Sequence, residues 1–332
     1  MAATDVTAPP LTAPLRFTPV LMERVWGGRR LARLLDRTLP PNASIGESWE
    51  LSDRVEGQSV VSGGPLAGTT LHELWSQRRQ EIFGARAAAL QSERFPLLIK
   101  LLDAEQTLSV QVHPAAEAAA ALGGEPKYET WFVLDAAPRA HVYLGLRAGV
   151  TRERFEHDLR GGRDISALLH RVAVRRGDVI AVPGGRIHAI GAGCVIVEVQ
   201  QNSNTTYRAY DFGRTGLGGD LRELHVEQAL SSINWDDIEP TPRPPAANGE
   251  PLVDNDCFEL AHWRLDTPHV GAPAGECSAI SVLSGNVSCG DAHYGAGDLF
   301  LLPATLRERI VEGDGEGAEV LQVMLPRPAA TA

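Results

Sequence analysis

The chain has 332 residues, 43% of them hydrophobic, and a formal net charge of −11, so it is long enough for two domains with substantial cores. No cluster of Lys and Arg is typical of a nucleic-acid surface, and no run of about 18 apolar residues predicts a membrane span, so we expect neither partner. The cysteines form no CxxC pair, which favours reduced thiols in a cytoplasmic protein; they are Cys194, Cys257, Cys277 and Cys289.

The first elements in chain order are a tail and two helices. Residues 1–15 are rich in Ala, Thr and Pro and lack the regions of a signal peptide, so we expect a disordered tail. Thr70 can cap an amphipathic helix that ends near Phe83, and residues 164–170 are another candidate helix. Most other apolar runs are short and interrupted by Gly and Pro. This pattern predicts a mainly β fold with a few short helices.

The most informative strand is the alternating stretch Leu108–Pro114, which Pro114 ends. Alternation places Ser109, Gln111 and His113 on one face and apolar residues on the other. Since Gln111 and His113 are two residues apart on one face, their tips can hold one ion. A Gln-x-His pair taken alone is more often ordinary surface polarity than a metal site.

Two later residues extend this candidate site. Glu129 and His188 are each embedded in apolar strand sequence, where an unpartnered polar group would be costly. Two imidazoles, a carboxylate and an amide oxygen suit a divalent metal of borderline softness, with zinc the first choice. The sequence therefore predicts a four-ligand site formed by Gln111, His113, Glu129 and His188.

A weak internal repeat divides the chain. Gly297–Pro303 matches Gly177–Pro183 position for position, which suggests two related β-barrels. The Pro-rich residues 239–251 form the clearest linker. Five residues past the proline, the second copy has Glu308 where the first has His188. The second copy also lacks a Gln-x-His strand, and its histidines show no ligand spacing; they are His262, His269 and His293. We therefore expect residues 252–332 to form a structural β domain without metal.

Several of these stretches together resemble type I phosphomannose isomerases, a family of cupin-fold zinc enzymes. The matching stretches are Gly46–Asp53, Glu105–Pro114, Pro126–Trp131, Gly184–Ile190 and Gln201–Asp211. The resemblance implies two cupin-type β-barrel (jelly-roll) domains: a catalytic metal-binding domain over 16–238 and a cupin-like domain without metal over 252–332. It also implies one zinc ion per chain, and the family's ligands fall on Gln111, His113, Glu129 and His188.

The resemblance further implies a reaction. Such enzymes interconvert mannose 6-phosphate and fructose 6-phosphate through an enediol or enediolate, whose developing negative oxygen a Lewis acid stabilises. The family's arginine falls on Arg208 and its motif lysines on Lys100 and Lys127, and phosphate binding and catalysis stay open among these three. Ser109 is a further substrate-binding candidate. The proton-transferring base is left open between Glu198, Lys127 and a metal-bound hydroxide. Without the resemblance, Arg208 could equally form a surface ion pair with Asp211.

The sequence departs from the family pattern at one position, and we consider three alternative functions. Asn204 stands where many family members have Asp, so a role for that acid in ring opening or proton transfer does not carry over. Other readings are a cupin isomerase acting on glucose 6-phosphate, a metal dioxygenase, and a non-catalytic sugar-binding regulator. Gln111 argues against a dioxygenase, which usually has more histidine ligands, and the intact ligand set argues against a non-catalytic protein. We expect a monomer or a homodimer.

Overall fold

The computed structural model describes residues 11–244 and 247–327, and the chain is mainly β, as predicted. The strands are β1 (Leu15–Thr18), β2 (Val20–Gly28), β3 (Ile45–Leu51), β4 (Asp53–Arg54), β5 (Gly57–Gln58), β6 (Val60–Val61), β7 (Leu97–Ala104), β8 (Val110–Val112), β9 (Glu129–Ala136), β10 (His141–Leu146), β11 (Leu169–Ala173), β12 (Val179–Val182), β13 (His188–Ile190), β14 (Cys194–Gln201), β15 (Tyr207–Tyr210), β16 (Pro251–Asp254), β17 (Glu259–Arg264), β18 (His269–Val270), β19 (Ser278–Ser284), β20 (Asn286–Cys289), β21 (Ala292–Gly295), β22 (Leu299–Leu302), β23 (Ile310–Gly313) and β24 (Glu319–Met324). The α-helices are α1 (Arg30–Leu35), α2 (Leu71–Gln77), α3 (Arg79–Ala89), α4 (Ala116–Leu122), α5 (Arg152–Arg160) and α6 (Val226–Ser232).

The chain divides into two compact units. The larger unit comprises Pro19–Gly57 and Phe95–Ala247, and the smaller unit comprises Met1–Thr18, Gln58–Arg94 and Asn248–Ala332. The smaller unit thus takes two segments from the N-terminal third of the chain. This division differs from the predicted continuous domain over 16–238, because residues 58–94 group with the C-terminal part.

The larger unit contains two large antiparallel sheets, and β4 and β5 form a separate two-stranded sheet at its boundary. The first has the strand order β12-β9-β14-β7-β3-β2, and the second has the order β11-β10-β13-β8-β15. Strand β7 is buried along its whole length, as expected for an apolar run in the middle of a sheet. In β8, Val110 and Val112 are fully buried in an apolar cluster with Phe155, while Gln111 alternates to the opposite face. The predicted alternation is confirmed over Val110–Val112, but the strand is shorter than predicted, and Leu108 lies before it and is buried in a different apolar cluster.

The repeated Gly-Asp turn has the same geometry in both copies. Gly177 and Gly297 each adopt φ 88°, a left-handed conformation that favours glycine. Asp178 Oδ2 accepts a hydrogen bond from Arg175 N at 2.9 Å, and Asp298 Oδ2 accepts one from Gly295 N at 3.0 Å. Strands β12 and β22 begin directly after these aspartates. The internal repeat is therefore a structural repeat as well as a sequence one.

The smaller unit also contains two antiparallel sheets. Their orders are β16-β17-β24-β19-β22-β1-β6 and β18-β23-β20-β21. Leu15 pairs with Leu301 in β22, so the expected disordered tail does not extend to residue 15, and residues 1–10 lie outside the described residues. The predicted helix from Thr70 is confirmed at its start by a capping box with Glu73, but the chain forms two helices, since α2 ends at Gln77 and α3 begins at Arg79.

Two further expectations for the larger unit need revision. The predicted helix over 164–170 is wrong: only Ser166–Leu168 forms a short 3-10 turn, and Leu169 begins β11. Part of the expected linker is held in place, because Arg243 and Val179 exchange backbone hydrogen bonds of 2.8 and 3.1 Å. Residues 245–246 of that segment lie outside the described residues.

Candidate metal centre and substrate cleft

Three fully buried side chains converge in the larger unit, and we call them the ligand cluster: His113, Glu129 and His188. Glu129 Oε2 lies 3.3 Å from His113 Nε2, and Glu129 Oε1 lies 3.6 Å from His188 Nε2. One potential ligand atom from each residue lies within 4.8 Å of the others. Within residues 11–244 and 247–327, this is the only group of three acidic, histidine or cysteine side chains so placed.

Backbone carbonyls orient both imidazoles. His113 Nδ1 donates to Thr205 O at 2.9 Å, and His188 Nδ1 donates to Arg186 O at 2.8 Å. Each Nε2 therefore presents a lone pair to the middle of the cluster. Burial lowers the pKa of His113 to about 4 and also lowers the pKa of His188, so both rings are neutral near pH 7. His113 Nε2 has no hydrogen-bond partner in the described part of the chain.

Gln111 and Ser109 flank the cluster on the second sheet. Gln111 pairs in register with His188, and its amide nitrogen donates to His188 Nε2 at 3.3 Å. Its amide oxygen accepts from Ser109 Oγ at 3.4 Å. A half-turn of the amide would direct the oxygen toward the imidazoles, so a fourth ligand is available from the predicted residue.

The Glu129 carboxylate is ionised. Burial alone would raise its pKa, but the nearby Lys127 ammonium holds the pKa of Glu129 well below its usual range. Lys127 Nζ lies 2.9 Å from Glu129 Oε2, and Trp131 Nε1 donates to Glu129 Oε1 at 3.0 Å. Two neutral imidazoles, a carboxylate and a nearby amide are the donor set that zinc takes in proteins, so these residues fit such an ion.

A cleft of about 470 Å³ opens beside the ligand cluster. Lys100 and Glu198 line it from neighbouring positions on β7 and β14, and Lys100 Nζ lies 2.7 Å from Glu198 Oε2. Trp131 Nε1 also contacts Glu198 Oε1, at 3.2 Å. Burial would lower the pKa of Lys100, but Glu198 and Glu47 raise it, so the lysine stays charged. Gln111, Ser109 and Lys127 also line this cleft.

Arg208 lies in the same cleft, on β15 and in register with Gln111. Its NH1 group donates to Glu223 O at 2.8 Å, and its buried Nε has no hydrogen-bond partner among the described residues. The alternative of a surface ion pair with Asp211 is not favoured, because Asp211 instead binds Arg214 at 2.5 Å and Arg222 at 3.2 Å. All the predicted site residues therefore lie in or beside one cleft.

Several cleft residues were not predicted as site residues, and the charged ones are Glu23, Arg24, Glu47 and Arg222. Arg24 holds Glu47 through two hydrogen bonds, of 3.0 and 3.2 Å. Burial would raise the pKa of Glu47, but Lys100 and Arg24 lower it to about 2. Glu47 lies within the matching stretch Gly46–Asp53, which was a usable signal. Arg222 follows a Gly-rich segment outside every matching stretch.

The smaller unit uses its candidate residues differently. Glu308, the counterpart of His188, is exposed and accepts a hydrogen bond from Ile310 N at 3.1 Å. The histidines have separate neighbours: His262 lies 3.6 Å from Glu319, His293 lies 3.1 Å from Asp314, and His269 stacks on Trp263 with ring centroids 3.7 Å apart.

Comparison with known proteins supplies relatives that cover nearly the whole chain. Residues 15–132 match the family described as phosphomannose isomerase type I, catalytic domain. Over 318 residues the chain is 37% identical to the probable mannose-6-phosphate isomerase GmuF of Bacillus subtilis, covering 92% of this chain and 98% of that protein. It is 38% identical over 316 residues to mannose-6-phosphate isomerase ManA of the same organism, with 92% and 98% coverage. The crystal structure of the Bacillus subtilis mannose 6-phosphate isomerase matches with a TM-score of 0.80 and 28% identity, covering 95% of this chain and all of that one.

The fold and the cleft therefore define a mainly β enzyme of the cupin type, and specifically an isomerase. The chain belongs to the type I phosphomannose isomerase family. The resemblance that the motifs predicted is thus confirmed. Within residues 11–244 and 247–327, no helix is long and apolar enough to cross a membrane.

Proposed function

We propose that the chain is a zinc-dependent aldose–ketose isomerase that interconverts mannose 6-phosphate and fructose 6-phosphate through an enediol or enediolate. The observation that carries this proposal is the ligand cluster, with two neutral imidazole lone pairs and an ionised carboxylate beside a cleft lined with cations. His113, Glu129, His188 and the rotated Gln111 amide would hold the ion. When bound, zinc supplies a Lewis acid for the adjacent oxygens at C1 and C2 of the sugar.

The reaction moves one proton between C2 and C1, so it needs a base that faces the substrate. Glu198 is the candidate we favour, because its carboxylate lines the cleft and is held by Lys100 and Trp131. It would take the proton from C2 and return it to C1. Lys127 is paired with the Glu129 carboxylate, so it suits stabilisation of negative oxygen better than proton abstraction.

Arg208 is placed to act near the reacting carbons. Its strand position is directly beside Gln111, and its buried Nε points to no protein acceptor in the described residues. A guanidinium there would favour the negative charge that develops on the enediolate oxygen. Ser109, which contacts Gln111, would bind a sugar hydroxyl or hold the Gln111 amide.

A coupled assay for fructose 6-phosphate formation from mannose 6-phosphate tests this function directly. Activity should fall on treatment with a chelator and return on addition of zinc. A parallel assay with glucose 6-phosphate separates the alternative isomerase, which would show the higher kcat/KM with that sugar. If the protein binds sugar phosphate but converts neither substrate, the result would favour a non-catalytic, sugar-binding regulator. The cytoplasmic location and the choice between monomer and homodimer stay predictions of the sequence.

A further inference from the structure

Some of the positive side chains around the cleft are paired with carboxylates, and others are in excess. Three cations that line the cleft each have their own carboxylate: Lys127 with Glu129, Lys100 with Glu198, and Arg24 with Glu47, at 2.9, 2.7 and 3.0 Å. These positive charges are already neutralised by the protein. A substrate anion placed there would compete with a buried carboxylate for each cation.

The other end of the cleft carries excess positive charge, and we call it the arginine end: Arg208, Arg214 and Arg222. Arg214 and Arg222 share one buried carboxylate, Asp211, while Arg208 lies beside them and forms no ion pair among the described residues. Two other acids lie near this end, Glu23 on the cleft lining and Glu223, and both are exposed to solvent, the side chain of Glu223 by 82%. Three positive charges against one buried negative charge leave an excess of two. A phosphate monoester carries a charge of about −1.5 to −2 near pH 7, so it would match this excess.

The guanidinium groups are close enough to act together. Burial lowers the pKa of Arg222, and the nearby Arg208 lowers it further. Burial also lowers the pKa of Arg208, with Arg214 contributing in the same direction. Like charges held together in a partly buried site are unfavourable unless an anion joins them. Arg208 and Arg222 both line the cleft, whereas Arg214 faces an adjoining recess.

Arg208 and Arg222 lie at different places in the cleft, so they would contact different parts of the sugar. Arg208 is in register with Gln111 and so lies next to the ligand cluster, where C1 and C2 would react. Arg222 belongs to the segment after the Gly-rich residues 213–219 and pairs with Asp211 rather than with any cluster residue. The phosphate of a hexose 6-phosphate lies at the opposite end of the carbon chain from C1.

We propose that Arg222 is a specificity-determining residue that binds the substrate phosphate at the arginine end, while Lys100 and Lys127 stay with their carboxylates. This inference rests on the proposed function and names the group that selects phosphorylated over unphosphorylated sugar. A planar guanidinium can bind two phosphate oxygens at once, and charge-assisted contacts of that kind are stronger than neutral ones.

The test compares Arg222→Gln, Arg222→Lys and the control Arg154→Gln, whose side chain is 63% exposed on α5. We expect Arg222→Gln to raise the KM for mannose 6-phosphate roughly 10- to 100-fold, with kcat changed much less. The inhibition constant of 1,5-anhydromannitol 6-phosphate, which cannot isomerise, should rise by a similar factor. Any turnover of unphosphorylated mannose, assayed in parallel, should be the same in Arg222→Gln as in the wild type. Arg222→Lys should recover part of the loss, and Arg154→Gln should match the wild type.

Two outcomes separate this inference from the function itself. If the wild type converts mannose 6-phosphate and Arg222→Gln has wild-type KM and inhibition constants, the phosphate assignment is overturned and the isomerase stands. If the wild type does not convert mannose 6-phosphate but binds the anhydro sugar phosphate in an Arg222-dependent way, the isomerase proposal fails and the phosphate site stands. Equal losses for phosphorylated and unphosphorylated sugar would also overturn the assignment, because they would mean general disruption of the cleft.

Discussion

Lys100 Nζ and Glu198 Oε2 lie 2.7 Å apart at the wall of the cleft, in register on neighbouring strands. The pair is buried, and Trp131 Nε1 holds the other carboxylate oxygen. A carboxylate so placed faces the substrate with a fixed orientation, which is what a base that moves a proton between adjacent carbons requires.

The first prediction concerns this base. Glu198→Gln keeps the shape of the side chain and an oxygen for Trp131 but cannot take a proton. We expect kcat to fall by roughly 10²- to 10⁴-fold, while zinc content stays at that of the wild type. Steady-state kinetics and metal analysis on the same preparations measure both. If Glu198→Gln keeps a kcat within a few-fold of the wild-type value, another group is the proton-transferring base. Lys127→Gln is then the next variant to assay.

The second prediction concerns the ligand cluster. His113→Ala and His188→Ala should each lose zinc and activity together, because each removes an Nε2 that faces the cluster. The matched control is His293→Ala, an exposed histidine of the smaller unit, which should keep one zinc ion per chain. Metal analysis of dialysed protein gives the stoichiometry. Two ions in the wild type, or wild-type zinc content in both cluster variants, would show that the ligands are assigned wrongly.

The sequence alone assigned a common face to those site residues that follow the two-residue alternation of a β-strand. The alternation of Ser109, Gln111 and His113 requires only that the stretch be a strand, and strands alternate whatever surrounds them. The approach of His188 to Gln111 requires that β13 lie beside β8, although 77 positions separate the two residues. No local pattern specifies that neighbour, so Glu129 and His188 entered the candidate site as polar residues in apolar strand sequence and through the family resemblance, not through a spacing.

Residues in segments without helical or strand periodicity were not predicted, because no regular spacing assigns their side chains to a face. Arg222 follows a Gly-rich segment, where neither helical nor strand spacing exists to assign a face. The error at residues 164–170 has another cause. Leu168 and Leu169 are both buried, and that apolar pair suits a short turn leading into a strand as well as it suits a helix.

The third prediction is a pH dependence of stability that originates at Glu47. Its pKa is about 2 in the folded chain against an ordinary value of 4.5, since Lys100 and Arg24 favour the carboxylate even though burial opposes it. The folded state therefore binds fewer protons than the unfolded state between these values. The resulting stability, about 3 kcal/mol, is present above pH 4.5 and is lost as the pH falls toward 2.

Denaturant unfolding at several pH values tests this dependence. Glu47→Gln should be less stable than the wild type near pH 6, and the difference in the free energy of unfolding should shrink as the pH falls from 4.5 toward 2. The exposed Glu316→Gln serves as the control and should follow the wild type at every pH. A difference for Glu47→Gln that stays constant with pH would mean that the carboxylate charge is not what stabilises this wall of the cleft.

The fourth prediction explains the departure at Asn204. Its Nδ2 donates to Glu56 Oε1 at 3.1 Å, and its backbone nitrogen donates to Glu125 Oε2 at 3.2 Å. An aspartate here would face two carboxylates and lose the donated bond. The next residue, Thr205, supplies the carbonyl that orients His113, so disturbance of this segment should reach the ligand cluster.

We therefore expect Asn204→Asp to lower the melting temperature and to weaken zinc binding roughly 10- to 100-fold. Competition with a chromogenic chelator measures the zinc affinity. Asn204→Ala, which removes the bond without adding a charge, should show a smaller loss of both. If Asn204→Asp binds zinc as tightly as the wild type, a third carboxylate beside Glu56 and Glu125 does not disturb the ligand cluster. Asn204 then has no positioning role.

The last prediction concerns truncation after residue 245. Such a fragment would keep β1, its partner β6 and residues 58–94 but lose β22, the other strand that pairs with β1, and every C-terminal strand of the smaller unit. Leu15, which is buried in the full chain, would lose its partner Leu301, and β1 would become an edge strand paired only with β6. We expect fragment 1–245 to aggregate and to be sensitive to protease at residues 58–94. Co-expression with fragment 246–332 is the control and should restore a soluble complex that binds zinc. A monomeric fragment 1–245 that melts like the full chain would show that residues 58–94 fold without the C-terminal strands.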